Sequence, residues 1–119
     1  MAKILIVDDS RTSRRILRSI LEGNGHVIAE ASNGEDGYLR FKEEAPDLVT
    51  LDITMPVMDG IEALQLIKKA DPNAKVVMIT AAGQKEKMIT ALKHGAKEFL
   101  TKPYEDNNVL EVVERVLAE

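Results

Sequence analysis

The chain contains no cysteine, so it has neither a disulfide framework nor a thiolate metal site. It has no tryptophan and only two phenylalanines and two tyrosines, too few rings for a platform on which nucleic-acid bases stack. Positive charge is also short. A formal net charge of −4 argues against a surface built to hold a phosphate backbone. No apolar run approaches the roughly 18 residues of a membrane helix. Met1-Ala2-Lys3 leads straight into a strand pattern and leaves no room for a signal peptide. These absences set the expectation of a cytoplasmic protein in a reducing compartment, with no membrane and no nucleic acid among its partners. What remains is 119 residues at 45% hydrophobic composition, enough for one core and one domain. The expected domain is 1–119, ending on its last helix with no output domain after it.

Short apolar runs alternate with longer helical periods. Ile4–Val7 is a continuous apolar run, as expected for a parallel strand buried on both faces. Ile16, Leu17, Ile20 and Leu21 then recur at helical spacing, with Ser10 or Ser13 as N-cap and Gly23-Asn24-Gly25 as the stop. Val27-Ile28-Ala29 is a weaker strand. Asn33 caps a helix with Tyr38, Leu39 and Phe41 on its apolar face; Gly37 weakens it and Pro46 closes it. Leu48–Leu51 and Val76–Ile79 are further strands, separated by a helix that opens at Asp59-Gly60 and carries Ile61, Leu64 and Ile67. Met88, Ile89 and Leu92 line the next helix, Phe99-Leu100 is a short fifth strand, and Val109, Val112, Val113 and Val116 mark a final helix. Five strand–helix units in succession predict an α/β fold, a parallel sheet with helices on both faces.

The chemistry collects at the strand ends, where open α/β sheets bind ligands. The first strand delivers Asp8 and Asp9, the third Asp52, the fourth Thr80 and the fifth Lys102. Merely solvated acids scatter; these converge. Three carboxylates in close quarters repel one another, so a positive charge must compensate. Mg²⁺ suits an all-oxygen site with few protein ligands, and Lys102 adds a fixed cation. Such a site holds a phosphoryl group, whose transfer needs mainly positioning and charge neutralisation. An aspartate can itself be the nucleophile, and Asp52 is best placed for it. Asp9, with Asp8 behind it, holds the metal, and Thr54 offers its backbone carbonyl. The Thr80 hydroxyl, the Ala81 backbone N–H and Lys102 meet the phosphoryl oxygens.

Over essentially its whole length the chain resembles the receiver domains of two-component response regulators. The matching pieces are Ile6-Val7-Asp8-Asp9-Ser10, the stretch from Asp52 to Gly60, Thr80-Ala81, Gly95-Ala96 and Lys102-Pro103. Together and in this order they are highly specific. The resemblance implies a single doubly wound, flavodoxin-like sheet of five parallel strands in the order 2-1-3-4-5. It implies Asp52 as phosphoacceptor, Asp8 and Asp9 as metal-site acids, and Thr80 and Lys102 as phosphoryl contacts, with a histidine kinase as donor. It also implies a cis Lys102–Pro103 peptide, a bond form largely confined to proline. A switch follows by the same route. Thr80 moves toward the phosphoryl group, Phe99 turns inward, and the face carrying Lys93, Thr101 and Tyr104 is remodelled for a protein target.

The short chain and Gly83-Gln84 most resemble chemotaxis regulators that act on the flagellar motor, working as monomers. The alternatives are a phosphorelay intermediate, a regulator of another pathway, or an enzyme of the haloacid dehalogenase type. The enzyme needs a second acid two residues after its nucleophile, where this chain has Thr54. The expectation is a signalling domain that takes phosphoryl groups from small donors and hydrolyses them slowly to moderately, because neither Thr54 nor Ala82 positions water well. His26, His94 and Arg14-Arg15 are expected to be solvated surface, Met55 loop packing and Met88 core.

Overall fold

The computed structural model describes residues 1–119. Five strands, β1 (Lys3–Val7), β2 (Val27–Ala31), β3 (Leu48–Asp52), β4 (Val76–Thr80) and β5 (Glu98–Thr101), form one parallel sheet in the order β2-β1-β3-β4-β5. Between and after them run α1 (Arg11–Gly23), α2 (Gly34–Glu44), α3 (Gly60–Ala70), α4 (Lys85–Lys93) and α5 (Asp106–Leu117). Parallel pairing demands a crossover at every step, and a helix supplies each one. β3 and β4 are buried at every position because both faces are covered. No helix is long and apolar enough to cross a membrane.

Strand alternation sorts the core into two layers. Ile4, Ile6, Leu48, Val77, Ile79 and Leu100 point to the side covered by α1 and α5, meeting Leu17, Leu21 and the four valines of α5. Leu5, Val7, Val49, Leu51, Val76 and Met78 point to the other side, against Phe41 of α2, Leu64 and Ile67 of α3 and Ala91 of α4. Met55 joins this second layer, with Met88 half-buried against it. Of the two serine caps considered for α1, Ser10 is the one used, its hydroxyl accepting from the Ser13 N–H. Asn33 and Asp59 cap α2 and α3 in the same way.

Four apolar residues expected on buried helix faces lie outward instead. Ile16, Leu39, Ile89 and Leu92 are 41–50% exposed. The cause is clearest in α4, which sits on the sheet through Ala91 and turns Ile89 and Leu92 away. Gly37 also has a different meaning from the one its propensity suggests. A Cβ there would stand 2.8 Å from a Val7 methyl, so its absence lets α2 lie close on β1. The expectation for His26 is overturned. It is 6% exposed, with Nδ1 accepting from the Ala2 N–H at 3.1 Å and Nε2 2.8 Å from Glu114. Burial is tolerated because both ring nitrogens are paired. His94 is a surface residue at the end of α4, its Nε2 3.1 Å from the Gln65 amide.

Candidate functional site

Register brings the site together before any side chain bends. β1 and β3 are paired up to Val7 opposite Leu51, so Asp8 and Asp52 come next, side by side. β3 and β4 pair Asp52 with Ile79, and β4 and β5 pair Ile79 with Leu100. By period two, Asp8 follows Ile6, Asp52 follows Leu48 and Thr50, and Lys102 follows Leu100, all on the α1/α5 side. Thr80 follows Met78 and belongs to the opposite side.

The Asp52 carboxylate is buried, the residue being 7% exposed. Its Oδ2 accepts a hydrogen bond from Lys102 Nζ at 2.9 Å, and the same ammonium lies 3.0 Å from Asp8 Oδ2. Asp8 is itself oriented, its Oδ1 accepting from the Ser10 N–H at 2.9 Å. Its Oδ2 is fully enclosed and, although at ion-pair distance from Lys102, has no aligned hydrogen-bond donor. Asp9 is exposed at the rim, and one carboxylate oxygen from each of the three acids falls within a 4.8 Å cluster. Burial pushes the Asp52 carboxyl up; the Lys102 hydrogen bond opposes this and the Asp8 charge adds to it, leaving the group at about 6. Burial works against the Lys102 ammonium, yet the Asp52 and Asp8 carboxylates outweigh it and hold its pKa above the ordinary lysine value.

The donor set is all hard oxygen, and the enclosed Asp8 Oδ2 has charge to offer with no aligned donor to receive it, which fits Mg²⁺. Thr54 lies in the loop between β3 and α3, and its backbone carbonyl accepts no backbone hydrogen bond. The loop is held down at Gly60, whose N–H donates to the Ile53 carbonyl at 2.8 Å. A Cβ on Gly60 would overlap the Asp52 backbone carbonyl, so only glycine lets α3 start against the end of β3.

Thr80 is 5% exposed, and the one hydrogen of its hydroxyl is shared between the Ala81 carbonyl at 3.1 Å and Gln84 Oε1 at 3.2 Å. The Ala81 N–H donates to the same Gln84 oxygen at 2.7 Å. Gln84 in turn donates from Nε2 to Thr54 Oγ1 at 2.6 Å. Thus Asp8, Asp9, Asp52 and Lys102 form one cluster, while Thr80, Ala81 and Thr54 meet through Gln84. The Lys102–Pro103 peptide is cis.

Arg14, expected to be solvated, is another member. Its Nη1 donates to the Asp8 carbonyl at 2.6 Å and its Nε to Glu30 at 2.9 Å, so it braces the acidic loop from α1. Four arginines crowd the first two turns of α1, and spacing alone does not single it out; Arg15 is exposed. On the α4–β5–α5 face, Lys93 and Thr101 are exposed and Phe99 is 37% exposed. Tyr104 is half-buried against the α1/α5 layer, its hydroxyl enclosed and pushed up to about 12 by burial, which outweighs the opposing pull of nearby Ser13. The largest surface groove lies at the other end of the sheet, lined by Ala2, His26, Asp47, Lys75 and Glu114, far from this chemistry.

The model of the response regulator receiver domain family matches residues 4–114. The chain is 47% identical to the chemotaxis protein CheY of Bacillus subtilis over 97% of both chains. It is 40% identical to protein PilH of Pseudomonas aeruginosa over 99% of each. Among solved structures, NtrX from Brucella abortus superimposes with a TM-score of 0.94 at 35% identity; the match covers 98% of this chain and 27% of NtrX.

Proposed function

Since the chain belongs to the response regulator receiver domain family, a family of signalling domains, we propose that it is a stand-alone phosphorylation switch. Asp52 accepts a phosphoryl group from a histidine kinase with Mg²⁺, and the altered surface binds a protein target. The observation that carries this is the buried Asp52 carboxylate held 2.9 Å from Lys102 beside Asp8 and Asp9.

At neutral pH, above its value of about 6, Asp52 is ionised and nucleophilic. Its oxygen attacks phosphorus as the donor's N–P bond breaks and the electron pair returns to the donor imidazole. Lys102 stays charged throughout and neutralises the developing phosphoryl charge. Asp8, Asp9, Asp52 and the Thr54 carbonyl would hold the Mg²⁺, which neutralises charge on the transferring oxygens. Thr80 and the Ala81 N–H donate to those oxygens. Thr80 is then drawn toward Asp52, and the half-exposed Phe99 ring turns in beside it, because burying the ring is favourable. The changed face includes Lys93, Thr101 and Tyr104.

The similarity to CheY of Bacillus subtilis supports a role in chemotaxis, with the flagellar motor switch as target. A regulator of another pathway or a phosphorelay carrier is the second reading; the similarity extends to a relative not named for chemotaxis, protein PilH. A phosphatase of the haloacid dehalogenase type is disfavoured by Thr54, which supplies no general acid. Intact mass after incubation with Mg²⁺ and acetyl phosphate tests the proposal. One added phosphoryl group in the wild type, absent without Mg²⁺ and absent in Asp52→Asn, is expected. Repeated turnover of a phosphomonoester would overturn it.

A further inference from the structure

Gln84 lies just before the first turn of α4, yet its side chain makes no capping bond to that helix. It is committed to the site instead. Its Oε1 accepts from the Ala81 N–H and shares the single hydrogen of the Thr80 hydroxyl with the Ala81 carbonyl, and its Nε2 donates to Thr54 Oγ1. The assignment of the amide atoms is unambiguous. A backbone N–H can only donate, so the atom 2.7 Å from Ala81 N is the oxygen.

The two groups capped in this way are neutral donors at the end of β4, the strand that pairs with β3 at Asp52. An N–H carries one hydrogen, and it cannot serve a carboxamide oxygen and a phosphoryl oxygen at full strength together. The Gln84 oxygen therefore stands as a competitor for the groups a phosphoryl oxygen needs. Its third contact, to Thr54, ties the loop after β3 to the loop after β4 and keeps the amide from rotating away.

We propose that Gln84 is a resting-state latch, a positioning residue that masks the Thr80 and Ala81 donors until a phosphoryl group on Asp52 displaces it. The inference rests on the reading of Asp52 as phosphoacceptor. Displacement has a mechanical result: the residue that leaves is the one at which α4 begins, so release of the amide frees the entry to α4 in the same event. The cost of unlatching is a set of ordinary hydrogen bonds, each of modest net value, which sets the size of the expected effect.

The test measures beryllofluoride binding with Mg²⁺ by NMR in the wild type, Gln84→Ala, Gln84→Met and Thr54→Val. Gln84→Met keeps the length and the apolar stem of the side chain while removing both polar atoms. Removing the latch is expected to tighten beryllofluoride binding about five- to tenfold in both Gln84 variants, and about twofold in Thr54→Val, which loses one of three contacts. In the two Gln84 variants, affinity for Mg²⁺ alone should stay within about twofold, since Gln84 touches none of the acids. Exchange of the Ala81 amide should be slow in the free wild type and fast in free Gln84→Met. Equal or weaker beryllofluoride binding by Gln84→Met, with the wild type still binding, would overturn the latch and leave the phosphoacceptor reading intact. No binding and no phosphoryl uptake by any of the four proteins would overturn both.

Discussion

Replacing Asp52 with asparagine should make the metal-free protein more stable at neutral pH, and the gain should fade in acid. The wild-type carboxyl is raised from its ordinary 3.8 to about 6, chiefly because it is buried at 7% exposure. A group whose pKa is higher folded than unfolded favours the folded state while protonated and loses that contribution as pH rises. Below about pH 4 the wild-type residue is neutral in both states, like asparagine. Between about pH 4 and pH 6 the unfolded chain ionises first, and the wild type loses ground. At about 1.4 kcal/mol for each pH unit of that window, the loss is at most about 3 kcal/mol and is complete by about pH 7. Asparagine keeps the shape, still accepts from Lys102, and can donate toward Asp8. The assay is urea unfolding followed by circular dichroism in EDTA buffer, run on both proteins across that range. Subtracting the two curves removes the groups that titrate alike in both. The difference should open by about 2–3 kcal/mol in favour of Asp52→Asn and then level off. Parallel curves would refute the reasoning, as would a wild type that gains on the variant while pH rises.

Gly60→Ala forces a Cβ onto the Asp52 backbone carbonyl; a loss of about 2–3 kcal/mol by urea unfolding is expected, with reduced phosphoryl uptake by intact mass. Thr50 Oγ1 is buried with no hydrogen-bond partner, so Thr50→Val, nearly identical in shape, should be neutral or stabilising by up to about 1 kcal/mol, and a clear loss would reveal a hidden partner. Val57 is β-branched, 77% exposed and held at φ 69°. Val57→Gly should therefore raise the unfolding free energy by about 1 kcal/mol, and a lower denaturation midpoint would contradict the strain argument.

The fold and the charged half of the site were legible because both come from period two. An apolar strand that ends in a carboxylate or a lysine announces a side chain at the sheet's carboxyl edge, and parallel register does the rest. Long-range pairing by residues with ordinary local contexts leaves no such mark on the sequence. Gln84 reads as a polar residue in a turn, and its partners are fixed only when the loops after β3 and β4 meet. Arg14 is one arginine among several until the Asp8 carbonyl comes within 2.6 Å. His26 follows Gly23-Asn24-Gly25, a turn by any local measure, and its burial depends on Glu114, 88 positions away. Ile89 and Leu92 are the opposite case. Their spacing is helical, but the face that α4 buries is set by small Ala91 rather than by the largest side chains.

Strand parity has one more consequence. Asp8, Asp52 and Lys102 stand on the α1/α5 side of the sheet, and Thr80 stands on the other. The sheet between them is a partition, and at its carboxyl edge the two compartments meet. The charges gathered in the first compartment stand apart from the side chains that pack the second. In the proposed function, that charge reaches the second compartment when a phosphoryl group sits astride the rim and engages Thr80. Signalling in this molecule is, in that sense, a matter of who straddles the wall.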